Sequence, residues 1–237
     1  MNSLIIVNPA SGAGNDQERT QKIETEAKSL GWHGQIEETT KTKSADKIVQ
    51  KHLKKSVKHI IVCGGDGTVM EAVRALVNKR VELSVVPLGT GNIFALNLGI
   101  SSNTSEALSQ ALKGSVKNID VGKANEIFFG VNCGMGFDAD MMRMTGRKNK
   151  DRLGLLAYII SGIKILPKPR NTFSIKIDDK EEVSVKARSI MVANMEKTAA
   201  GIRAVPGANP KSGTLKIGII KPKYLTGWLN IFINALS

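Results

Sequence analysis

Short apolar runs alternate with amphipathic stretches over the first half of the sequence. The apolar runs have the length of buried strands and lie near residues 4–7, 34–38, 59–63 and 83–86. The other stretches repeat apolar residues at helical spacing, near residues 15–30, 44–55, 69–78, 92–98 and 104–113. Thr104 or Ser105 is suited to cap the last helix, and Gly114 to end it. This alternation predicts a parallel sheet with right-handed crossovers.

The pattern changes from about residue 116. Strand-like runs then follow one another, near residues 126–131, 172–177, 182–187, 189–193 and 214–220. Asp178-Asp179-Lys180 is typical of a hairpin turn, and one helical insertion is predicted around 151–166. The sequence therefore predicts a Rossmann-like parallel α/β domain over residues 1–119 and an antiparallel β-rich domain over residues 120–237.

Three of the predicted strands end in loops rich in Gly, Ser, Thr and Asn. These loops span residues 8–15, 64–68 and 87–92. In an open parallel sheet, ligands bind outside the carboxyl ends of the strands, and glycine lets backbone N–H groups approach a phosphate. Asp66 in such a loop could reach a phosphate-bound Mg²⁺. Any single loop is also explained by ordinary turn chemistry, but three together predict a cradle for phosphate and hydroxyl groups.

The charge of the chain indicates an anionic partner. The 237 residues include 34 basic and 21 acidic ones, which gives a net charge of +13. Aromatic residues make up only 4%, and they do not interleave with the basic ones, so stacking on nucleic-acid bases is disfavoured. Anionic lipid is the other candidate partner, and a solvated lysine-rich surface that binds neither is the alternative.

The remaining residue types indicate a protein of the reducing cytoplasm. Cys63 and Cys133 lie in apolar stretches and are interpreted as buried thiols rather than a disulfide. His52 and His59 lack metal-ligand spacing and are interpreted as surface residues. The start of the chain lacks the features of a signal peptide, and the apolar stretches near 153–166 and 224–236 fall short of a membrane span.

The loop motifs carry a family resemblance. They read Asn8-Pro9-Ala10-Ser11-Gly12, then Gly64-Gly65-Asp66-Gly67-Thr68 with Glu71, and Pro87-Leu88-Gly89-Thr90-Gly91-Asn92. Together with the segments 119–122 and 129–138 and with Asn194 and Pro206, they resemble the diacylglycerol kinase catalytic domain. That family includes bacterial diacylglycerol and related lipid kinases, sphingosine kinases and ceramide kinases. NAD kinases share the Gly-Asp-Gly loop, but the opening Asn-Pro motif favours the lipid branch.

The resemblance implies an ATP- and Mg²⁺-dependent lipid kinase. In the family, a nucleotide-binding α/β domain is followed by a β-sandwich domain, with the active site in the cleft between them. Residues 1–119 would then bind the nucleotide and residues 120–237 the lipid. Asp66 and Asp120 are the implied catalytic residues, and Asp66 is also the metal ligand. The implied nucleotide-binding residues are Asn8, Ser11, Gly12, Thr39 or Thr40, Gly64, Gly65, Asp66, Gly67, Thr68, Glu71, Gly89, Thr90 and Asn92.

Each implied carboxylate also has a purely structural interpretation. Asp66 could cap the helix that follows it, Glu71 could be a solvated or dipole-stabilising carboxylate, and Asp120 could be an ordinary turn residue. The resemblance further implies a lipid substrate, phospholipid biosynthesis and a peripheral site at the cytoplasmic membrane surface. The basic run at residues 143–152, next to several methionines, is the candidate membrane surface, and association into a homodimer is expected.

The sequence also departs from the family pattern. Asn92-Ile93 stands where the family often has Asn-Asp, and Ser212-Gly213 where Asp-Gly is usual. Family members run longer, and their late Asp-Gly-Glu motif, with the proposed catalytic base, is absent here. We therefore expect this chain to bind Mg·ATP but to phosphorylate lipid at least about 10²-fold more slowly than a full-length relative. The alternatives are a catalytically impaired nucleotide- or lipid-binding protein and an NAD kinase-like enzyme, with a nucleic-acid binder third.

Overall fold

The protein is described by a computed structural model over residues 2–12, 16–136, 170–198 and 201–221. Its contacts divide the chain into two compact units, Met1–Gly130 and Val131–Ser237. The assignment of a nucleotide-binding domain to residues 1–119 and a lipid-substrate domain to residues 120–237 stays a prediction. None of the helices in the described ranges has both the length and the apolar content needed to cross a bilayer.

The first unit is built on a parallel four-stranded sheet with strand order β2-β1-β3-β4. The strands are β1 (Ser3–Val7), β2 (Gln35–Glu38), β3 (His59–Gly64) and β4 (Glu82–Pro87). The central strands β1 and β3 are buried along their whole length, as continuous apolar runs require when both faces of a sheet are covered. The predicted α/β architecture is confirmed.

Five helices accompany this sheet in the described residues of the first unit. They are α1 (Asp16–Ser29), α2 (Ala45–Leu53), α3 (Asp66–Leu76), α4 (Ile93–Asn97) and α5 (Thr104–Lys113). The predicted N-cap of α5 was wrong by one residue, because the side chain of Asn103 accepts the hydrogen bond from the Glu106 N–H. Gly114 ends this helix, as predicted.

Both histidines assigned to the surface are buried. His52 is 4% exposed because it continues the apolar face of α2, and its Nε2 lies 2.6 Å from a carboxylate oxygen of Glu37. His59 is 8% exposed at the start of β3, and its Nε2 lies 2.9 Å from the Ser84 hydroxyl on β4. The surface interpretation was therefore wrong for both. Burial lowers the pKa of His59.

A short hairpin closes the first unit, and the second unit is antiparallel. The hairpin pairs β5 (Gly122–Ala124) with β6 (Ile127–Phe129). In the second unit, the sheet has strand order β11-β10-β7, and β8 pairs with β9. These strands are β7 (Asn132–Gly136), β8 (Asn171–Ile175), β9 (Val183–Ala187), β10 (Ser189–Ala193) and β11 (Lys216–Ile220).

The predicted turn at 178–180 joins β8 to β9, with Asp178 at φ 51°. Strands β5 and β7 were not predicted, because glycine makes up much of each and gives neither a clear strand signal. The predicted helix near 151–166, the apolar stretch near 224–236 and the basic run at 143–152 lie outside the described residues.

Candidate functional site

Four loops emerge at the carboxyl edge of the parallel sheet. We call them the β1 loop (residues 8–12), the β2 loop (39–44), the β3 loop (64–68, which includes the last residue of β3 and the first turn of α3) and the β4 loop (88–92). The parallel register puts the ends of the four strands side by side, at Val7, Glu38, Cys63 and Val86. This edge is where an open parallel sheet binds ligands, so the register brings the predicted residues of these four loops to one edge.

Two side chains join the β1 loop to the β3 loop. The Asn8 side-chain amide donates to the Thr68 hydroxyl at 2.8 Å, while its carbonyl oxygen accepts from the Ala10 N–H at 3.1 Å. The Ser11 hydroxyl accepts from the Gly65 N–H at 3.3 Å. The polar residues that the sequence singled out in these two loops therefore hold each other in place.

Glycines let the β4 loop approach the other two at backbone distance. A Cβ on Gly89 would lie 2.7 Å from the Gly65 Cα, closer than real Cβ atoms come to another carbon. Gly12 has φ +82°, and a Cβ there would lie 2.2 Å from the Leu88 carbonyl oxygen. Larger residues at Gly12 and Gly89 would therefore push the three loops apart.

Asp66 begins α3 and joins it to the next helix. Its Oδ1 accepts a hydrogen bond from the Phe94 N–H at 3.0 Å, in the first turn of α4. Its Oδ2 lies 3.2 Å from the position that a Cβ on Gly91 would take, so glycine keeps the space beside this oxygen open. The N-cap of α3 is Gly65, without a side-chain cap bond, so Asp66 does not cap the helix in the usual way.

Asn92 shapes the β4 loop from within. Its Oδ1 accepts from the Gly89 N–H at 2.9 Å, and its Nδ2 donates to the Gly89 carbonyl at 2.6 Å. The residue itself is left-handed, at φ 46°, a conformation that asparagine adopts more readily than most residues. Asn92 therefore fixes the backbone of Gly89, while the neighbouring Thr90 is exposed.

Glu71 lies one turn further along α3 than the β3 loop, and it contacts the start of α2. Its Oε2 accepts from the Ala45 N–H at 2.9 Å. The carboxylate therefore caps α2 from outside and ties the β2 loop to α3. This contact agrees with the interpretation of Glu71 as a carboxylate that stabilises a helix dipole. The contact of Glu71 with a nucleotide stays a prediction.

The β2 loop holds the predicted nucleotide-contacting threonine. The Thr39 N–H donates to the Val7 carbonyl at 2.9 Å, which extends the pairing of β1 with β2. The Thr40 hydroxyl accepts from the Lys43 N–H at 3.1 Å. The β2 loop thus lies next to the end of β1 and is folded on itself by Thr40.

Ion pairs of Glu37, on the strand that precedes it, hold the β2 loop in place. The side chain of Glu37 on β2 is 15% exposed, and its oxygens lie 2.5 Å from Lys43 Nζ, 2.8 Å from Lys51 Nζ and 2.6 Å from His52 Nε2. Burial by itself would raise the pKa of Glu37, but the hydrogen bonds from Lys43, Lys51 and His52 outweigh it and lower the pKa to about 2.

A cleft of about 440 Å³ opens beside the β4 loop, within the size range of ligand pockets. Its lining includes the predicted residues Ser11, Gly89, Thr90 and Asn92. It also includes three residues that the sequence analysis missed, Arg19, Ser102 and Thr104. Arg19 lies in the first turn of α1, and its place in the cleft depends on how that helix packs, which no local sequence pattern specifies.

Asp120 lies two residues before β5 and is half-buried. The structure thus brings together the predicted residues of the β1, β3 and β4 loops through direct contacts. It connects Glu71 to the β2 loop, and it places Asp120 on a separate segment near the end of the first unit. The binding and catalytic roles of all these residues remain predictions.

Comparisons with known proteins identify the family. The model of the diacylglycerol kinase catalytic domain matches residues 2–124. An uncharacterized protein of Synechocystis sp. is 32% identical over 98% of this chain and 57% of its own length. The diacylglycerol kinase of Bacillus subtilis is 26% identical over 98% of this chain and 78% of its own length. A crystal structure of a diacylglycerol kinase from Bacillus anthracis covers 100% of this chain and 79% of its own, with TM-score 0.79 and 29% identity.

The family match includes all four loops at the sheet edge. Residues 2–124 are more than half of the 237 residues of the chain. The chain spans 57% of the length of its Synechocystis relative, so the two are compared over part of that protein. The resemblance drawn from the loop motifs is confirmed, and the chain belongs to the diacylglycerol kinase catalytic domain family.

Proposed function

We propose that this protein is an ATP- and Mg²⁺-dependent lipid kinase, which transfers the γ-phosphoryl group of ATP to the hydroxyl of a diacylglycerol-like lipid. The observation that carries the proposal is the meeting of three strand-end loops, with Gly65 and Gly89 at backbone distance. The Gly65 and Gly89 N–H groups donate to the Ser11 hydroxyl and to Asn92 Oδ1 and so hold the loops together, while the N–H groups that follow Gly65 at the start of α3 can bind phosphate oxygens. The names of the two Bacillus relatives support the same reaction class.

The nucleotide phosphates would bind at the β3 loop. The N–H groups of this loop lie at the start of α3, where the helix dipole favours negative charge. Asn8, Ser11 and Gly12 would reach the phosphates or the ribose from the β1 loop. Gly64, Gly67 and Thr68 would complete the phosphate contacts, with Gly89 and Thr90 opposite them and Thr39 toward the base.

Asp66 fits as the protein ligand of Mg²⁺. Its Oδ1 is oriented by the Phe94 N–H, and Mg²⁺ is commonly held by one or two carboxylates together with substrate phosphates. Within the described ranges no three His, Cys, Asp or Glu side chains are grouped to hold a metal, so phosphate oxygens would complete the coordination. When bound, Mg²⁺ neutralises charge on the phosphoryl group being transferred.

Asp120 is proposed as a second catalytic carboxylate. The match of Ile119-Asp120-Val121-Gly122 to the family pattern supports this role. Because the substrate is a lipid, we also propose that the protein works in phospholipid biosynthesis, peripherally at the anionic cytoplasmic membrane surface. Association into a homodimer is part of the same proposal.

The direct test is transfer of label from γ-labelled Mg·ATP. The acceptors are diacylglycerol, sphingosine, phosphatidylglycerol and undecaprenol in detergent micelles, with NAD in solution. We expect label on a lipid, with diacylglycerol the leading acceptor. Label on NAD alone would replace the proposal by an NAD kinase-like activity. Nucleotide binding with no transfer to any acceptor would replace it by the binding-protein alternative.

A further inference from the structure

Residues 41–58 form the most basic described segment of the first unit. They include a single acidic residue, Asp46, and seven lysines, Lys41, Lys43, Lys47, Lys51, Lys54, Lys55 and Lys58. The segment covers the end of the β2 loop, the whole of α2 and the residues just after it. Its charge is therefore concentrated on one helix and its two ends.

The lysines of α2 lie opposite its buried face. The helix buries Ala45, Ile48, Val49 and His52. Lys47, Lys51 and Lys54 are exposed and spaced at i, i+4 and i+7, which places them on one stripe of the helix on the other side. We call the six exposed lysines of this segment the α2 basic face. They are Lys41, Lys47, Lys51, Lys54, Lys55 and Lys58.

Most of this charge is not neutralised by the protein. Glu37 pairs with Lys43 and Lys51, but in the part of the chain that the structure describes none of the five other lysines pairs with a carboxylate. The first helix behaves differently. On α1, Lys22 pairs with Glu18 at 2.9 Å and Lys28 with Glu24 at 2.7 Å, so the exposed charges compensate each other along the helix.

Nucleic acid and anionic phospholipid are the two partners that a basic face could bind, and the composition of the α2 basic face favours phospholipid. Residues 41–58 contain no arginine, so the face lacks the forked guanidinium groups that bind phosphates and guanine edges bidentately. They contain no Phe, Tyr or Trp either, so no ring is available to stack on a base. An array of flexible lysine point charges suits a surface of laterally mobile anionic headgroups.

We propose that the α2 basic face is the surface by which the first unit docks on anionic phospholipid. The inference deepens the peripheral membrane association under the proposed function and rests on it. It places that association on described residues of the first unit, whereas the sequence pattern favours the basic run at 143–152. Docking along the outer side of α2 leaves the carboxyl edge of the sheet open, because α2 only begins there.

The experiment is sedimentation of the full chain with phosphatidylcholine vesicles, with and without phosphatidylglycerol. One variant removes three charges from the face, through Lys47→Gln, Lys54→Gln and Lys55→Gln. The matched control removes three charges from exposed lysines elsewhere in the first unit, through Lys79→Gln, Lys113→Gln and Lys117→Gln. Glutamine is close to lysine in helix propensity, so both proteins should fold, and circular dichroism checks this.

We expect the face variant to bind phosphatidylglycerol vesicles at least about tenfold more weakly than the wild type, and the control to change much less. Added salt should weaken wild-type binding in the same way. An equal loss in both variants would overturn the proposal, because net charge alone would then explain binding. So would unchanged vesicle binding in the face variant combined with loss of retention on a DNA or RNA oligonucleotide.

Mg·ATP binding, measured by calorimetry without vesicles, separates this proposal from the proposed function. The face variant should bind Mg·ATP like the wild type, since its substitutions lie on the outer side of α2. A wild-type chain that binds vesicles through the face but binds no ATP would defeat the kinase proposal alone. If the protein binds ATP but the face variant binds phosphatidylglycerol vesicles as well as the wild type does, the docking proposal alone is wrong.

Discussion

The β3 loop and the β2 loop lie at the same edge of one sheet, but they are held in place by different means. Glycines hold the β3 loop, since Gly65 meets Gly89 at backbone distance and its N–H donates to the Ser11 hydroxyl. Carboxylates hold the β2 loop, since Glu37 pairs with Lys43 below it and Glu71 accepts from Ala45 at its end.

This difference separates two kinds of sensitivity. Gly12 and Gly89 have no room for a Cβ, and a side chain added at Gly65 would lie beside Gly89 and Ser11, so substitutions at these glycines act directly on the arrangement of the loops and on any ligand bound there. The β2 loop is held by side chains of other elements, so a substitution of Glu71 that keeps an acceptor for the Ala45 N–H should leave the loop in place. Substitutions in the β3 loop and at the carboxylates Glu71 and Glu37 test this contrast, and their expected effect on ATP affinity falls in that order.

The largest effect is expected from Gly65→Val. Its Cβ would lie 3.4 Å from the Gly89 Cα, an ordinary contact, and 4.0 Å from the Ser11 Oγ, so its two methyl groups would add bulk beside the β1 and β4 loops. Loss of two charge-assisted phosphate hydrogen bonds, at about 1.5–3 kcal/mol each, weakens ATP binding by more than about 100-fold. Calorimetry measures this, and Gln50→Ala on the exposed side of α2 is the control. If a folded Gly65→Val protein binds ATP with wild-type affinity, the phosphates do not bind at this loop.

Asp66→Asn should act on the metal rather than on the loop. The asparagine carbonyl can still accept from the Phe94 N–H, so the connection to α4 is retained. We expect the gain in ATP affinity that Mg²⁺ gives the wild type to shrink by about tenfold, or ~1.4 kcal/mol. The measurement compares ATP binding in Mg²⁺ and in EDTA. If Mg²⁺ helps the variant as much as the wild type, Asp66 is not its ligand.

Two substitutions of Glu71 distinguish positioning from direct contact. Glu71→Ala removes the acceptor of the Ala45 N–H, so we expect a loss of about 1 kcal/mol of stability, a fall in Tm of about 2–4 °C and less than tenfold weaker ATP binding. Glu71→Gln keeps an acceptor and should behave like the wild type in both measurements. A glutamine variant as weak as the alanine variant would mean that the charge itself contacts the nucleotide or its metal.

Glu37 should affect pH stability more than ATP binding. Its pKa is about 2 in the folded protein, below the ordinary value of 4.5. Its contribution to the free energy of unfolding, about 1–3 kcal/mol, is thus fully present above about pH 5 and is lost as the pH falls toward 2. Urea unfolding at several pH values should give a steeper acid loss for the wild type than for Glu37→Gln. Parallel curves would contradict the ion-pair account of the β2 loop.

The sequence was sufficient to predict the framework of the site. Continuous apolar runs such as 59–63 can only be buried strands in an alternating pattern, and a glycine-rich loop after such a run must lie at the carboxyl edge. What the sequence could not provide is which side chains contact each other across that edge. Glu71 and Ala45 are 26 residues apart, and only the packing of α2 on α3 brings them together.

Two wrong predictions, the exposure of His52 and the N-cap of α5, could have been made correctly from the sequence. His52 follows Ile48 by four residues, so the apolar periodicity of α2 already placed it on the buried face. Asn103 is as good an N-cap residue as Thr104, and helix boundaries shift easily by one residue. The cleft residue Arg19 differs, since its place beside the β4 loop depends on how α1 packs, which no local pattern specifies.

The central claim is that the β1, β3 and β4 loops together bind the phosphates of Mg·ATP. The most direct test is a titration of the ¹⁵N-labelled protein with Mg²⁺ and a non-hydrolysable ATP analogue, followed through its backbone amide signals. We expect the largest shifts at Gly12, Gly65, Gly67 and Gly89, which lie in these three loops. Saturable binding that leaves these four amides unmoved and shifts others instead would contradict the account.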